Sequence, residues 1–194
     1  MGCAVLMRST AKWTIAAAAA LLAGCQTVPA PKVAQATPAA APDLTGGLPY
    51  LWTLGNARRG YKDMVAEFGK SGLKPGQYVW ASTVPTTGDT SIVIDRLIQV
   101  AYVYRGDRLV GAATVSTAKK GHITPLGEWT ILEKRPFYRS KKYDNAPMPW
   151  MQRIDEYGIA LHGGGTPGYP ESHGCIHLPT KFAQKLYGLT KVGS

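Results

Sequence analysis

The chain is expected to fold as a mainly β domain, a sandwich-like or barrel-like sheet carrying one or two small helices. Three features carry that expectation. From Gln77 onward, short runs rich in branched and aromatic residues follow one another at Tyr78–Ser82, Ile92–Ile94, Leu97–Tyr104, Leu109–Val115 and Gly127–Lys134, which is strand composition. Arg105-Gly106-Asp107 separates two of these runs as a hairpin turn, so that part of the sheet is expected to be antiparallel. Helical signals are confined to two places: Arg58–Phe68, closed by Gly69 and Gly72, and a C-terminal stretch in which Phe182, Leu186 and Leu189 follow a four-then-three spacing.

The elements before the sheet read differently. Residues 1–24 place basic Arg8 and Lys12 ahead of an apolar run from Trp13 to Ala23, then small residues, the three-part pattern of an export signal. That run is too short to cross a hydrocarbon layer, which needs about 20 apolar residues. Leu22-Ala23-Gly24-Cys25 resembles a bacterial lipobox, which implies lipidation at Cys25 and attachment to a membrane by that anchor; simple cleavage is the alternative. MGCAVL lacks the Ser or Thr of a myristoylation signal. Residues 25–49, with Pro29, Pro31, Pro38, Pro42 and Pro49 among Ala, Gln and Thr, form an extended tether. Residues 50–90 read as an N-terminal extension without assigned chemistry, and 91–194 as the functional domain.

At 194 residues, with 22 Lys and Arg against 12 Asp and Glu and a net charge of +10, the chain has room for one core and favours acidic partners. Removing residues 1–24 takes away Arg8 and Lys12 and no acid, so the remainder stays basic. An exported protein meets no cytosolic nucleic acid. The expected anionic partners are cell-wall polymer and membrane surface, and the expected address is the bacterial envelope, on its periplasmic side.

Cysteine usage narrows the chemistry. Cys3 leaves with the signal and Cys25 is consumed by lipid, so Cys175 stands alone where thiol pairs oxidise. A lone thiol there is a small buried residue, a metal ligand or a nucleophile. The surrounding stretch LHGGGTPGYPESHGCIHLP, Leu161–Pro179, holds three histidines among glycines and prolines. A catalytic cysteine needs a base within reach, a group orienting that base and backbone donors for an oxyanion. A histidine bonded to the thiol is expected to favour the thiolate and lower its pKa.

These residues resemble the L,D-transpeptidase (YkuD-type) catalytic domain, a family with a histidine, a short Gly/Pro-rich loop, then Ser-His-Gly-Cys, an apolar residue, usually Arg, and Leu or Met. Here they stand as His162, Ser172-His173-Gly174-Cys175-Ile176, His177 in the Arg position, and Leu178. Val115-Ser116-Thr117 and Thr124-Pro125-Leu126-Gly127 resemble two further family segments. The resemblance runs from about Ile92 to the end and implies an L,D-transpeptidase-like fold. It implies Cys175 as nucleophile, His162 as base, the Gly163 carbonyl fixing its tautomer, His173 lining the site, and amides near Gly174 and Cys175 as the oxyanion hole. Ser172, His177, Tyr169 and Thr124 follow as substrate contacts. The implied reaction is acyl transfer on peptidoglycan stem peptides through a thioester, without a cofactor and by a monomer. The product is a 3→3 crosslink or a wall-attached protein; a hydrolase with water as acceptor, or a non-catalytic wall-binding lipoprotein, is the alternative.

Two departures are visible. His177 replaces a permanent cation with an imidazole that is mostly neutral at pH 7, and the family normally continues into a further strand beyond Lys191–Ser194. Zinc is the competing reading of His162, His173, Cys175 and His177, because in a strand residues 173, 175 and 177 share a face; no paired ligand motif or nearby carboxylate supports it, and no metal is expected. Trp150 is expected in the core, Tyr138 and Tyr169 as candidates for stacking, and Lys119, Lys120, Lys141 and Lys142 as solvated surface. His122 carries no assignment.

Overall fold

The computed structural model describes residues 55–194. The expected signal at 1–24, the Cys25 lipidation site and the tether at 25–49 lie outside the described residues. Helix α1 spans Asn56–Phe68 and is followed by β1 Tyr78–Trp80, β2 Thr90–Asp95, β3 Val100–Arg105 and β4 Arg108–Thr114. Next come β5 Glu133–Arg135, β6 Met151–Arg153, β7 Ala160–Gly163, β8 Ile176–Leu178 and helix α2 Thr180–Leu189. The protein is mainly β, with two four-stranded sheets ordered β1-β4-β3-β2 and β5-β6-β7-β8. No helix among the described residues is long and apolar enough to cross a membrane.

The first sheet is antiparallel throughout. Its β3 reads VAYVYR and is buried at every position but the last, which explains an apolar run where a half-exposed strand would alternate. Ala101 and Val103 face the core shared with Leu161, Ile176, Leu178, Phe182 and Leu186, while Tyr102 and Tyr104 face Met64 of α1. Burying each such side chain contributes roughly 1.5–3 kcal/mol. Gly60 lets α1 lie this close, since a Cβ there would meet the Tyr102 ring at 2.5 Å. Within the N-terminal extension at 50–90, the described residues pack onto this layer: β1 completes the sheet edge beside β4, and α1 covers its outer face.

Two strands are shorter than expected, for local reasons. The run beginning at Leu97 becomes β3 only at Val100, because the Asp95 carboxylate accepts the Leu97 and Ile98 amides at 2.9 and 3.2 Å and bends the chain. Gly127–Lys134 forms ladder only from Glu133. Ahead of it, Ile131 exchanges hydrogen bonds with the last residues, accepting from Gly193 N at 2.8 Å and donating to Ser194 O at 2.9 Å.

The second sheet departs from the antiparallel expectation at one place. β7 and β8 run parallel, pairing Leu161 with Ile176, His162 with His177 and Gly163 with Leu178. A parallel pair needs a crossover of about a dozen residues or more, and the glycine- and proline-rich stretch from Gly164 to Cys175 is that crossover. The sheets meet where Ser116 and His177 exchange backbone hydrogen bonds at 3.1 and 2.9 Å.

Candidate active site

Strand alternation places the site. Leu161, Ile176 and Leu178 point into the core, so His162 and His177 emerge together on the opposite face. Their rings lie 4.8 Å apart, tilted by 57°. Cys175, in the bend just before β8, packs against the cluster of Met148, Met151 and Ala160, and Ala160 shares the His162 face of β7. It is a free, half-buried thiol.

His162 is 5% exposed, and its Nδ1 lies 2.9 Å from the Gly163 carbonyl. A carbonyl only accepts, so Nδ1 carries the proton and Nε2 keeps its lone pair. Burial pushes the imidazole down to about 4, opposed by the Gly163 bond and helped by nearby His177. The thiol moves the other way: burial raises the Cys175 pKa, the Ala160 amide works against this, and Asp155 adds to it. Its sulfur donates to the Gly158 carbonyl at 3.7 Å. The resting pair is thus neutral thiol and neutral imidazole, where the sequence suggested a thiolate bonded to histidine. Desolvation is the largest cause for both groups, disfavouring the charged form of each.

The loop carrying Cys175 is held by hydroxyls. Ser172 Oγ donates to the Cys175 carbonyl at 2.6 Å and accepts the Gly174 amide at 3.1 Å. Thr124 Oγ1 donates to the Gly174 carbonyl at 2.7 Å and accepts the Ala118 amide at 2.9 Å. Both residues, expected as substrate contacts, are buried and occupied with the loop itself. The Gly174 amide, expected to serve an oxyanion, is likewise engaged with Ser172. Ser116 Oγ donates to the Tyr169 carbonyl at 2.8 Å and accepts the Glu171 amide at 3.0 Å, while the Tyr169 ring stays exposed.

His173 faces solvent, stacked on Tyr143 with centroids 4.6 Å apart and met edge-on by His122 at 4.7 Å. Desolvation, and then the charges of Lys119 and His122, hold its pKa below the ordinary value. His122 and Tyr143 had no sequence signal tying them to the site; loop packing brings them there. His177 Nδ1 is buried without a hydrogen-bond partner, and burial lowers that ring's pKa against the Gly165 carbonyl and Glu171. Trp150 is half-buried against Tyr187 and Phe137. Beside the Tyr138 cluster, Phe137, Tyr138, Arg139, Pro147 and Pro149 line a cavity of about 380 Å³. Residues 173–175 form a bend rather than a strand, so the shared face on which a zinc site was reasoned is missing. Among the described residues no three His, Cys, Asp or Glu side chains converge as a ligand set.

A buried imidazole of fixed tautomer and an accessible thiol beside the same strand suit proton transfer coupled to nucleophilic attack. Residues 89–194 match the family model of the L,D-transpeptidase catalytic domain. Among solved structures, the chain is similar to an L,D-transpeptidase (Yku) from Stackebrandtia nassauensis, with 26% identity, a TM-score of 0.51, and coverage of 68% of this chain and 62% of that one. It also shares its fold with an L,D-transpeptidase from Mycobacterium smegmatis (21% identity, TM-score 0.51, 55% and 56% covered). A third, from Mycobacterium tuberculosis H37Rv, gives 19% identity, a TM-score of 0.52, and 54% and 55% covered. The chain spans 55–62% of the length of these structures. No curated protein matches it in sequence.

Proposed function

The chain belongs to the L,D-transpeptidase catalytic-domain family, and from that premise we propose that it transfers acyl groups between peptidoglycan stem peptides through a thioester on Cys175. The observation that carries this reading is the imidazole of His162, its tautomer fixed by the Gly163 carbonyl, on the face of β7 that also presents Ala160, against whose cluster Cys175 packs.

The steps follow from the protonation states. The thiol leaves Gly158 O and passes its proton to His162 Nε2 as sulfur attacks the carbonyl between residue three of a stem tetrapeptide and its terminal D-alanine. The Cys175 amide faces the developing oxyanion. His162 then returns the proton to the departing amine, D-alanine leaves, and the thioester remains. An incoming amine gives its proton to the same nitrogen, attacks the thioester and restores the thiol. With a second stem as acceptor the product is a 3→3 crosslink; with a wall-anchored protein it is an attachment; with water it is a tripeptide. This chemistry calls for no cofactor. The export-like N-terminus and Cys25 support a location in the bacterial envelope with a lipid anchor on its periplasmic side, and in this reading the enzyme works on the wall as a monomer.

Incubating the full chain with tetrapeptide muropeptides and reading products by mass tests the proposal. Dimers support transfer and tripeptides hydrolysis. Absence of both, together with no mass gain on Cys175 from a carbapenem, leaves a wall-binding protein and removes the enzyme.

Gly174 supplies a further prediction. Its φ of 138° is strained for any side chain, and a Cβ would sit 2.5 Å from Ile159 Cδ1 and 3.2 Å from the Ile123 carbonyl. Ile159 can turn aside, but the backbone angle cannot be kept without about 1–3 kcal/mol of strain. Gly174→Ala is expected to displace Cys175 and lower kcat/KM for D-alanine release roughly 100-fold. Unchanged kinetics in a folded variant would show that the loop tolerates a side chain there.

A further inference from the structure

Three loops meet at His173, two residues before Cys175. The Lys119 amide donates to Ser172 O at 3.0 Å and the His122 amide to Lys119 O at 3.0 Å, so segment 117–122 is zipped to the loop bearing His173. Tyr143 stacks on His173 from the third loop, and Lys142 Nζ lies 5.5 Å from the Tyr143 ring centre. Lys119 lies near enough to act electrostatically on His173. The ion pairs among the described residues lie elsewhere, on α1, the β3–β4 hairpin, β5 and β6. Lys119, Lys120, Lys141 and Lys142 take part in none of them. The acids on these loops are Asp144, exposed at the tip of the third, and Glu171, which lies against Gly165 and His177. Cations and imidazole N–H groups thus gather without a carboxylate to receive them, and a site of this make-up takes one from a ligand.

We infer that His122, His173 and Lys119, with Lys142 at the rim, form a carboxylate-binding site that holds the terminal carboxylate of the acyl-donor peptide while its penultimate carbonyl faces Cys175. His173 precedes Cys175 by two residues, so even at full extension their Cα atoms lie no more than about 7 Å apart. That reach suits a carboxylate one residue beyond the scissile carbonyl. The inference rests on the transpeptidase reading and adds which end of the donor is recognised and by what. The cations then act as selectors for a free C-terminus, and half-buried Lys119 and exposed Lys142 are more than solvated surface.

The test uses the full chain, its Lys119→Gln and His122→Gln variants, and Lys119→Arg as the conservative control. Three donor peptides are compared: the tetrapeptide, its C-terminal amide, and the tetrapeptide amidated on the side-chain carboxylate of residue three. Alkylation of Cys175 by iodoacetamide, at equal rates in all proteins, checks that the thiol is undisturbed. The expected result is a KM for the free tetrapeptide raised roughly five- to tenfold in both glutamine variants at near-constant kcat, with Lys119→Arg close to wild type. The C-terminal amide binds weakly to all of them and does not discriminate. Equal KM rises for acid and C-terminal amide overturn the site, as does discrimination confined to the side-chain amide. A wild-type protein that releases the C-terminal residue from none of the peptides overturns the transpeptidase reading itself, and the site with it.

Discussion

Cys175→Ala is expected to release no D-alanine from a tetrapeptide stem and to gain no mass from any acyl donor, a loss of at least about 10⁴-fold in kcat/KM. Cys175→Ser is expected to fare little better. A serine hydroxyl is far less acidic than a thiol, and the base proposed to serve it is an imidazole whose proton affinity burial has pushed down to about 4. Such a base cannot take a proton from an alcohol at a useful rate, whereas a thiol requires much less of it. Neither variant should unfold the protein: Cys175 is half-buried at the edge of a small cluster with Met148, Met151 and Ala160, so losing the sulfur costs about 1 kcal/mol. The assay is D-alanine release with intact-mass analysis beside a thermal melt. An alanine variant that melts normally and still turns over would remove sulfur from the chemistry altogether.

The legibility of the site in the sequence followed from how local each feature is. The helix ending at Gly69 and the β3–β4 hairpin at Gly106 are set within a few residues, and both lie where the pattern placed them. The Gly163 carbonyl beside His162 is also a neighbour in sequence, and that contact is present. The parallel pairing of β7 with β8 was hidden because each strand has only three or four residues, too few for periodicity to show. The same holds for Ser172 and Thr124, whose motif positions are plain but whose hydroxyls turn inward to the loop. His122 and Tyr143 reach His173 only through packing of loops distant in sequence. A histidine can be counted in a sequence, but the burial that raises the thiol's pKa and lowers the imidazole's depends on the whole fold.

His162→Gln is expected to have the second-largest effect, and it separates catalysis from stability. Glutamine offers no basic nitrogen, so transfer should fall roughly 10³- to 10⁴-fold while Cys175 stays in place. In the wild type, activity requires neutral His162. With its pKa lowered from 6.5 to about 4, kcat/KM should hold into mildly acidic solution and fall along an acid limb centred near pH 4. The same shift acts on folding. The unfolded chain takes up the proton around pH 6.5 and the folded protein only near 4, so the unfolded state binds more protons between those values. Stability therefore rises with pH across that window, is at its full value above it, and is lost as pH falls through it. The group accounts for about 3 kcal/mol between the two ends. Denaturant melts at pH 7.5, 5.5 and 4.5 should show the wild type losing about 2.5 kcal/mol more than His162→Gln by the lowest of these values. The difference between the two proteins isolates this imidazole, because His173, His177 and the Arg135-paired Glu133 titrate in both. Parallel losses in the two proteins would mean that His162 is not buried in its neutral form, and a buried neutral base is the state from which the proposed proton transfer begins.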